Sequence, residues 1–166
     1  MTLLIWGFLA GIVGSLLMDQ AGGYAARRGV TTGVDIALVG RWFLGMLRGQ
    51  FVHTDIRLSP PIENEVRAGW AFHFLVGGGA VALPYPLIFM ILQSPVPENS
   101  FLPGLLYGLV TVGLLWFIML PAFGWGMFGK NGPPATKVVL AGLLTHSCYG
   151  IGIGAVMTLA LKTGLA

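Results

Sequence analysis

Four stretches of this chain are each long and apolar enough to cross a bilayer, and they constrain the fold more than any other feature. They run from Thr2 to Ala26, about Ala68 to Leu92, about Phe101 to Phe123 and about Val138 to Leu161. A membrane-spanning helix takes about 20 residues. Asp19 is the only charge in the first stretch, and the third has none. Only 9% of the 166 residues are charged, where a soluble domain carries roughly 25%. So few charges cannot cover a water-facing surface, and lipid must solvate most of the chain. The expected fold class is all-α: a polytopic integral membrane protein with four transmembrane helices, forming one transmembrane domain over residues 1–166. The first stretch lacks a positive n-region, is too long for a signal peptide and is interrupted by Asp19, so it reads as a retained helix.

The connections are unequal. Residues 27–67 form a long polar segment, 93–100 a short turn without Lys or Arg, and 124–137 a Gly/Pro-rich loop. The first and third hold Arg27, Arg28, Arg41, Arg48, Arg57, Arg67, Lys130 and Lys137, against Lys162 alone on the other side. Cytoplasmic loops carry the excess of Lys and Arg. Both termini are therefore expected outside the cytoplasm, and the two basic loops within it. Within the first loop, Thr32 to Gly49 reads as an amphipathic helix, with Ile36, Val39, Phe43 and Met46 at helical spacing. Two readings stay open. It can lie in the interface, with Trp42 among headgroups and Arg41 and Arg48 on lipid phosphate or another anion, or it can pack on the bundle. Ser59-Pro60-Pro61 breaks the chain before the second span, and Pro84, Pro86 and Pro121 are expected to kink or unwind their helices. Cys148 is the only cysteine, so no intrachain disulfide is available. The basic residues are too few and scattered for a nucleic-acid footprint.

A faint repeat links the two halves. Trp6-Gly7 precedes Met18 by the interval at which Tyr107-Gly108 precedes Met119, and His73 to Gly77 resembles His146 to Gly150. Parallel duplication of a helical hairpin is one reading, and chance matching in Gly-rich apolar sequence is the other.

Asp19, His73 and His146 are the polar side chains within the apolar stretches that can carry chemistry. Each sits on a stripe of small residues at helical spacing: Gly7, Gly11, Ser15, Asp19 and Gly23; Gly69, His73, Gly77 and Ala80; Gly142, His146, Gly150 and Gly154. Residues four apart share a helix face, and small-residue faces are where membrane helices pack. Asp19 lies eight residues before Arg27, His73 six after Arg67 and His146 nine after Lys137. At 1.5 Å per residue, all three then lie about 9–14 Å inside the basic edge. His53, Asp55, Glu63 and Glu65 could join from the loop. Two imidazoles and a carboxylate suit a transition metal; His73 and His146 suit haem iron; His near neutrality suits a proton relay; and an Asp–His hydrogen bond across helices would hold the bundle without chemistry. A nucleophile search finds Ser15, Ser147 and Cys148, with no phosphate loop, dinucleotide fingerprint or CxxC, so an enzymatic role is neither indicated nor excluded.

Met18-Asp19, Gly40-Arg41-Trp42, Phe51-Val52-His53, Gly69-Trp70-Ala71-Phe72-His73 and Thr145-His146 together resemble a bacterial family of small four-helix inner-membrane proteins of unknown function. The resemblance implies that Asp19, the Arg41-Trp42 pair and the three histidines belong to a recurring pattern, and it implies no substrate. The leading expectation is an inner-membrane protein with an intramembrane Asp19/His73/His146 site for a metal or haem, and His53 near its mouth. The alternatives are an accessory or assembly subunit of a larger membrane complex, its Gly-rich faces packed on a partner, and a small homo-oligomeric transporter or proton-coupled channel.

Overall fold

The computed structural model describes residues 1–33 and 35–166. The described residues are helical wherever they are regular. Helix α1 spans Thr2–Arg27, α2 Ile36–Met46, α3 Glu65–Ala71, α4 Pro84–Ile91, α5 Phe101–Leu114, α6 Leu120–Ala122 and α7 Ala135–Lys162. A π-helical stretch, Phe72–Ala80, leads from α3 toward α4, and another, Leu115–Met119, joins α5 to α6. Four helical spans result, each long and apolar enough to cross a bilayer: Thr2–Arg27, Glu65–Ile91, Phe101–Ala122 and Ala135–Lys162. They match the four stretches read from the sequence to within a few residues.

The prolines do not break these spans. Pro84 and Pro121 both lie in the first two positions of a helix, α4 and α6. Proline is tolerated there because its missing N–H would have had no partner. In both spans the widened π stretch ends just before that point, so the change of helical register occurs N-terminal to the proline.

Contacts divide the chain into two compact units. The first comprises Met1–Ala21, Phe74–Thr111 and Leu144–Ala166. Its core gathers Ala10, Ala82, Tyr85, Tyr149, Ile153 and Met157. Backbones meet here because side chains are missing: a Cβ on Gly11 would fall 2.2 Å from the Gly78 carbonyl oxygen, and one on Gly108 2.3 Å from that of His146. The Tyr149 hydroxyl donates to the Gly78 carbonyl at 2.6 Å, and that of Tyr107 to the Val81 carbonyl. Gly11 and Gly108, on faces expected to pack against helices, thus meet backbone within this unit.

The second unit comprises Gly22–His73 and Val112–Leu143. Its core is aromatic, with Trp42 edge-on to Phe72 at 5.6 Å and to Phe123 at 6.0 Å, and Phe123 edge-on to Trp125 at 5.3 Å. Asp35 caps α2 by accepting from the Ala37 N–H at 3.0 Å, so the helix starts at Ile36. The expected start at Thr32 falls before that cap, and Val34 lies outside the described residues. Helix α2 crosses α3 in backbone contact: a Cβ on Gly40 would stand 1.7 Å from the Glu65 carbonyl oxygen, and one on Gly69 2.1 Å from that of Ile36. Of the two readings of the amphipathic segment, packing on the protein describes this crossing.

Candidate functional site

The most elaborate polar arrangement lies in the second unit, in the segment after α2. Gly49, with φ +82°, turns the chain out of the helix, and the Gln50 N–H returns to the Gly45 carbonyl at 2.9 Å. The segment is then tied to the end of the third span. The His53 N–H donates to the Ala122 carbonyl at 2.8 Å and the Ile56 N–H to that of Phe123 at 2.9 Å. Gly124 permits this approach, since at φ +84° its Cβ would sit 2.1 Å from the Thr54 carbonyl oxygen.

Arg41 holds the chain from Ile56 to Glu65 in place. Its Nε and Nη2 donate to both oxygens of the Glu65 carboxylate at 2.8 and 2.9 Å. Its Nη1 donates to the Ile56 and Ser59 carbonyls at 3.1 and 2.8 Å. The Ile62 N–H adds a third bond to Glu65 at 2.9 Å. A guanidinium fork suits this bidentate task, where an ammonium would not. Arg41 therefore locates Ser59, whose Oγ lies 2.8 Å from Nδ1 of His53; the Gln50 side chain reaches the same nitrogen at 3.3 Å. The chain Glu65, Arg41, Ser59, His53 is a positioning relay.

His53 is 5% exposed. Its Nε2 is buried and has no hydrogen-bond partner among the described residues. It lies beside α2, where a Cβ on Gly45 would be 3.7 Å away. Whichever ring nitrogen carries the proton, Nε2 holds an unmet hydrogen or an unmet lone pair. Burial, and then the positive charge of Arg41, lower the His53 pKa below its ordinary 6.5, so the ring is neutral at pH 7. It forms part of the wall of a depression of about 360 Å³, with Gln50, Thr54, Asp55 and Ser59 as polar lining and Val52, Leu58 and Pro60 as apolar lining. Asp55 accepts from Arg57 at 2.6 Å and from the Trp125 indole at 3.1 Å. The Arg57 hydrogen bond holds its carboxyl far below the usual carboxylate range, and Arg57 lies over the Trp125 ring at 5.4 Å. A second depression, of about 370 Å³, follows α7 past Val139, Leu140 and Leu143 with an almost wholly apolar wall.

The residues expected from the sequence to form one site are divided between the units. Asp19 and His146 belong to the first and His73 to the second. The Thr111 hydroxyl donates to the Gly108 carbonyl at 2.6 Å and lies 3.0 Å from Nδ1 of His146. The His73 ring lies edge-on to Trp70 at 5.8 Å. Among the described residues, no three His, Cys, Asp or Glu side chains form a group able to hold a metal ion. The three-ligand metal centre expected of Asp19, His73 and His146 therefore finds no support among the described residues. Arg41 and Trp42, expected against lipid or an anion, are 7% and 8% exposed. Arg41 takes its partners inside the protein, and the Trp42 indole donates to the Phe51 carbonyl at 3.0 Å. Arg48 is exposed. Sequence reasoning misses Ser59, Gln50 and Gly45 as parts of the His53 site. Ser59 reads there only as the residue before a proline break, and the two others lie on turns whose closure no spacing announces.

No curated protein and no solved structure matches the chain. The model of a family described as protein of unknown function (DUF2938) matches residues 8–160, nearly the whole sequence. That match agrees with the resemblance carried by Met18-Asp19, Gly40-Arg41-Trp42 and the histidine segments, and the chain belongs to this family of unknown function.

Proposed function

We propose that the chain is a bacterial inner-membrane protein with both termini outside the cytoplasm, and that its working part is a site for a small polar ligand at His53 on the cytoplasmic side. The orientation is supported by the eight basic residues in two connections against one on the other side. The ligand site is supported by one observation above the rest: Nε2 of His53 is buried and unpartnered in a ring whose other nitrogen is held in place. An unmet buried polar atom costs about 1–3 kcal/mol, and native proteins leave few of them. A ligand that supplies the missing bond offsets that cost when it binds. The neutral imidazole can donate to or accept from such a ligand, and Thr54, Gln50 and Ser59 line its approach.

Asp19, His73 and His146 then serve the spans as hydrogen-bonding and packing groups, of which the His146–Thr111 contact is the example.

The test uses protein extracted from its own membranes in mild detergent and examined by native mass spectrometry. Wild type should retain a stoichiometric non-protein mass. His53→Asn keeps a group near Nδ1 for Ser59 but removes Nε2, and should lose that mass. Gly45→Ala keeps the imidazole but fills the space beside Nε2, and should weaken retention. Equal adducts on all three proteins would overturn the reading. Proteoliposome ion flux abolished by Asp19→Asn would favour transport instead.

A further inference from the structure

We propose that the segment from Leu47 to Leu58 inserts its apolar side chains into the headgroup layer of an anionic bilayer. The inference does not rest on the ligand reading of His53. Leu47 is 70% exposed, Phe51 60%, Val52 67% and Leu58 83%. Four large apolar side chains open to solvent within so short a polar connection need a cover. They cannot turn inward to find one, because the backbone between them is clamped. The Gln50 N–H is bound to Gly45, the Phe51 carbonyl to Trp42, and the His53 and Ile56 N–H groups to Ala122 and Phe123. A rigid display of this kind is an anchor, not a loop that has failed to pack.

The surrounding charge names the cover. The second unit holds eight Lys and Arg against four Asp and Glu, and two of those acids, Asp55 and Glu65, are already paired with arginines. Within the segment itself, Arg48 is exposed and its one carboxylate, Asp55, is taken. Apolar side chains beside uncompensated cations match the interface of a membrane containing anionic lipid, where each Lys or Arg near the surface adds attraction. The interfacial role expected of Arg41 and Trp42 thus passes to the residues beyond the end of α2.

The test places a nitroxide at Phe51→Cys, Leu58→Cys and, as an aqueous reference, Glu63→Cys, each on a Cys148→Ser background. The full chain is reconstituted in vesicles of phosphatidylcholine with phosphatidylglycerol. At positions 51 and 58, oxygen should relax the label more strongly than a water-soluble nickel chelate, and the order should reverse at 63. Removing phosphatidylglycerol, or adding Arg48→Gln, should shift positions 51 and 58 toward the nickel-accessible side. Nickel accessibility at 51 and 58 equal to that at 63 would overturn the insertion. Depth unchanged by both the lipid and the arginine substitution would overturn the role of charge. Spin–spin broadening at 51 or 58 that disappears on dilution with unlabelled protein would show a second copy as the cover and overturn the proposal.

Discussion

Arg41→Ala isolates the residue on which the second unit most depends. The substitution removes a guanidinium that makes four hydrogen bonds, two to Glu65 and two to the carbonyls of Ile56 and Ser59. The side chains of the pair are only 9% and 12% exposed, so water does little to rescue whichever partner remains. Breaking a buried pair from one side costs about 3–5 kcal/mol, whereas replacing both partners by apolar groups of similar volume is often neutral. At roughly 1.4 kcal/mol per factor of ten, the single change should lower the folded-to-unfolded ratio by about two to three and a half powers of ten. Arg41→Leu combined with Glu65→Leu should lose much less. Unfolding in mixed micelles of increasing dodecyl sulfate, followed by tryptophan fluorescence, measures both. A cost for Arg41→Ala below about 1 kcal/mol, the range of exposed pairs, would refute the placement of Arg41 as a buried clamp. So would a double variant less stable than the single one.

Further tests address separate links. His53 has a pKa held below 6.5 by burial and by Arg41; the unfolded chain therefore binds more protons in that window, and stability should rise with pH up to about 6.5 and gain nothing further from this group above it. His53→Asn should remove that rise in dodecyl sulfate titrations run between about pH 5 and 7.5. Gly40→Val places a side chain where the Glu65 carbonyl oxygen already stands, so α2 should detach from α3, read as proteolysis after Arg48 that wild type resists. Tyr149→Phe deletes one hydrogen bond, to the Gly78 carbonyl, and should cost about 0.6–1.7 kcal/mol in the same micelle assay, the range of polar contacts between membrane helices.

The four spans are legible in the sequence because each is a long apolar run, and such runs survive any error in register. The polar site is not, for two physical reasons. A stripe of residues four apart is a face only while the helix keeps 3.6 residues per turn. The span of His73 leaves that period at Phe72 and does not regain it until after Ala80, so a face counted at 3.6 residues per turn does not carry across it. The second reason is that charge alone does not place Arg41. A loop arginine next to a tryptophan reads as an interfacial pair, and only the crossing of α2 over Glu65, set by Gly40 and Gly69, turns it inward. His53 stands in the sequence only as a neighbour of the expected site. The residues that make it a centre lie on turns joined through backbone carbonyls, which no side-chain pattern records.

The π stretch from Phe72 to Ala80 also gives the second span a reading frame. A π-helical turn holds more residues than an α turn, so the residues beyond it are rotated from where an unbroken α-helix would carry them. Pro86, against which Gly7 packs so closely that a Cβ would stand 2.7 Å from the proline ring, lies beyond that stretch. Deleting a single glycine from Gly77 to Gly79 should change the register of the residues that follow, Tyr85 and Pro86 among them, against the first unit's core. In this span, losing one small residue should do more damage than enlarging a side chain on its lipid-facing side.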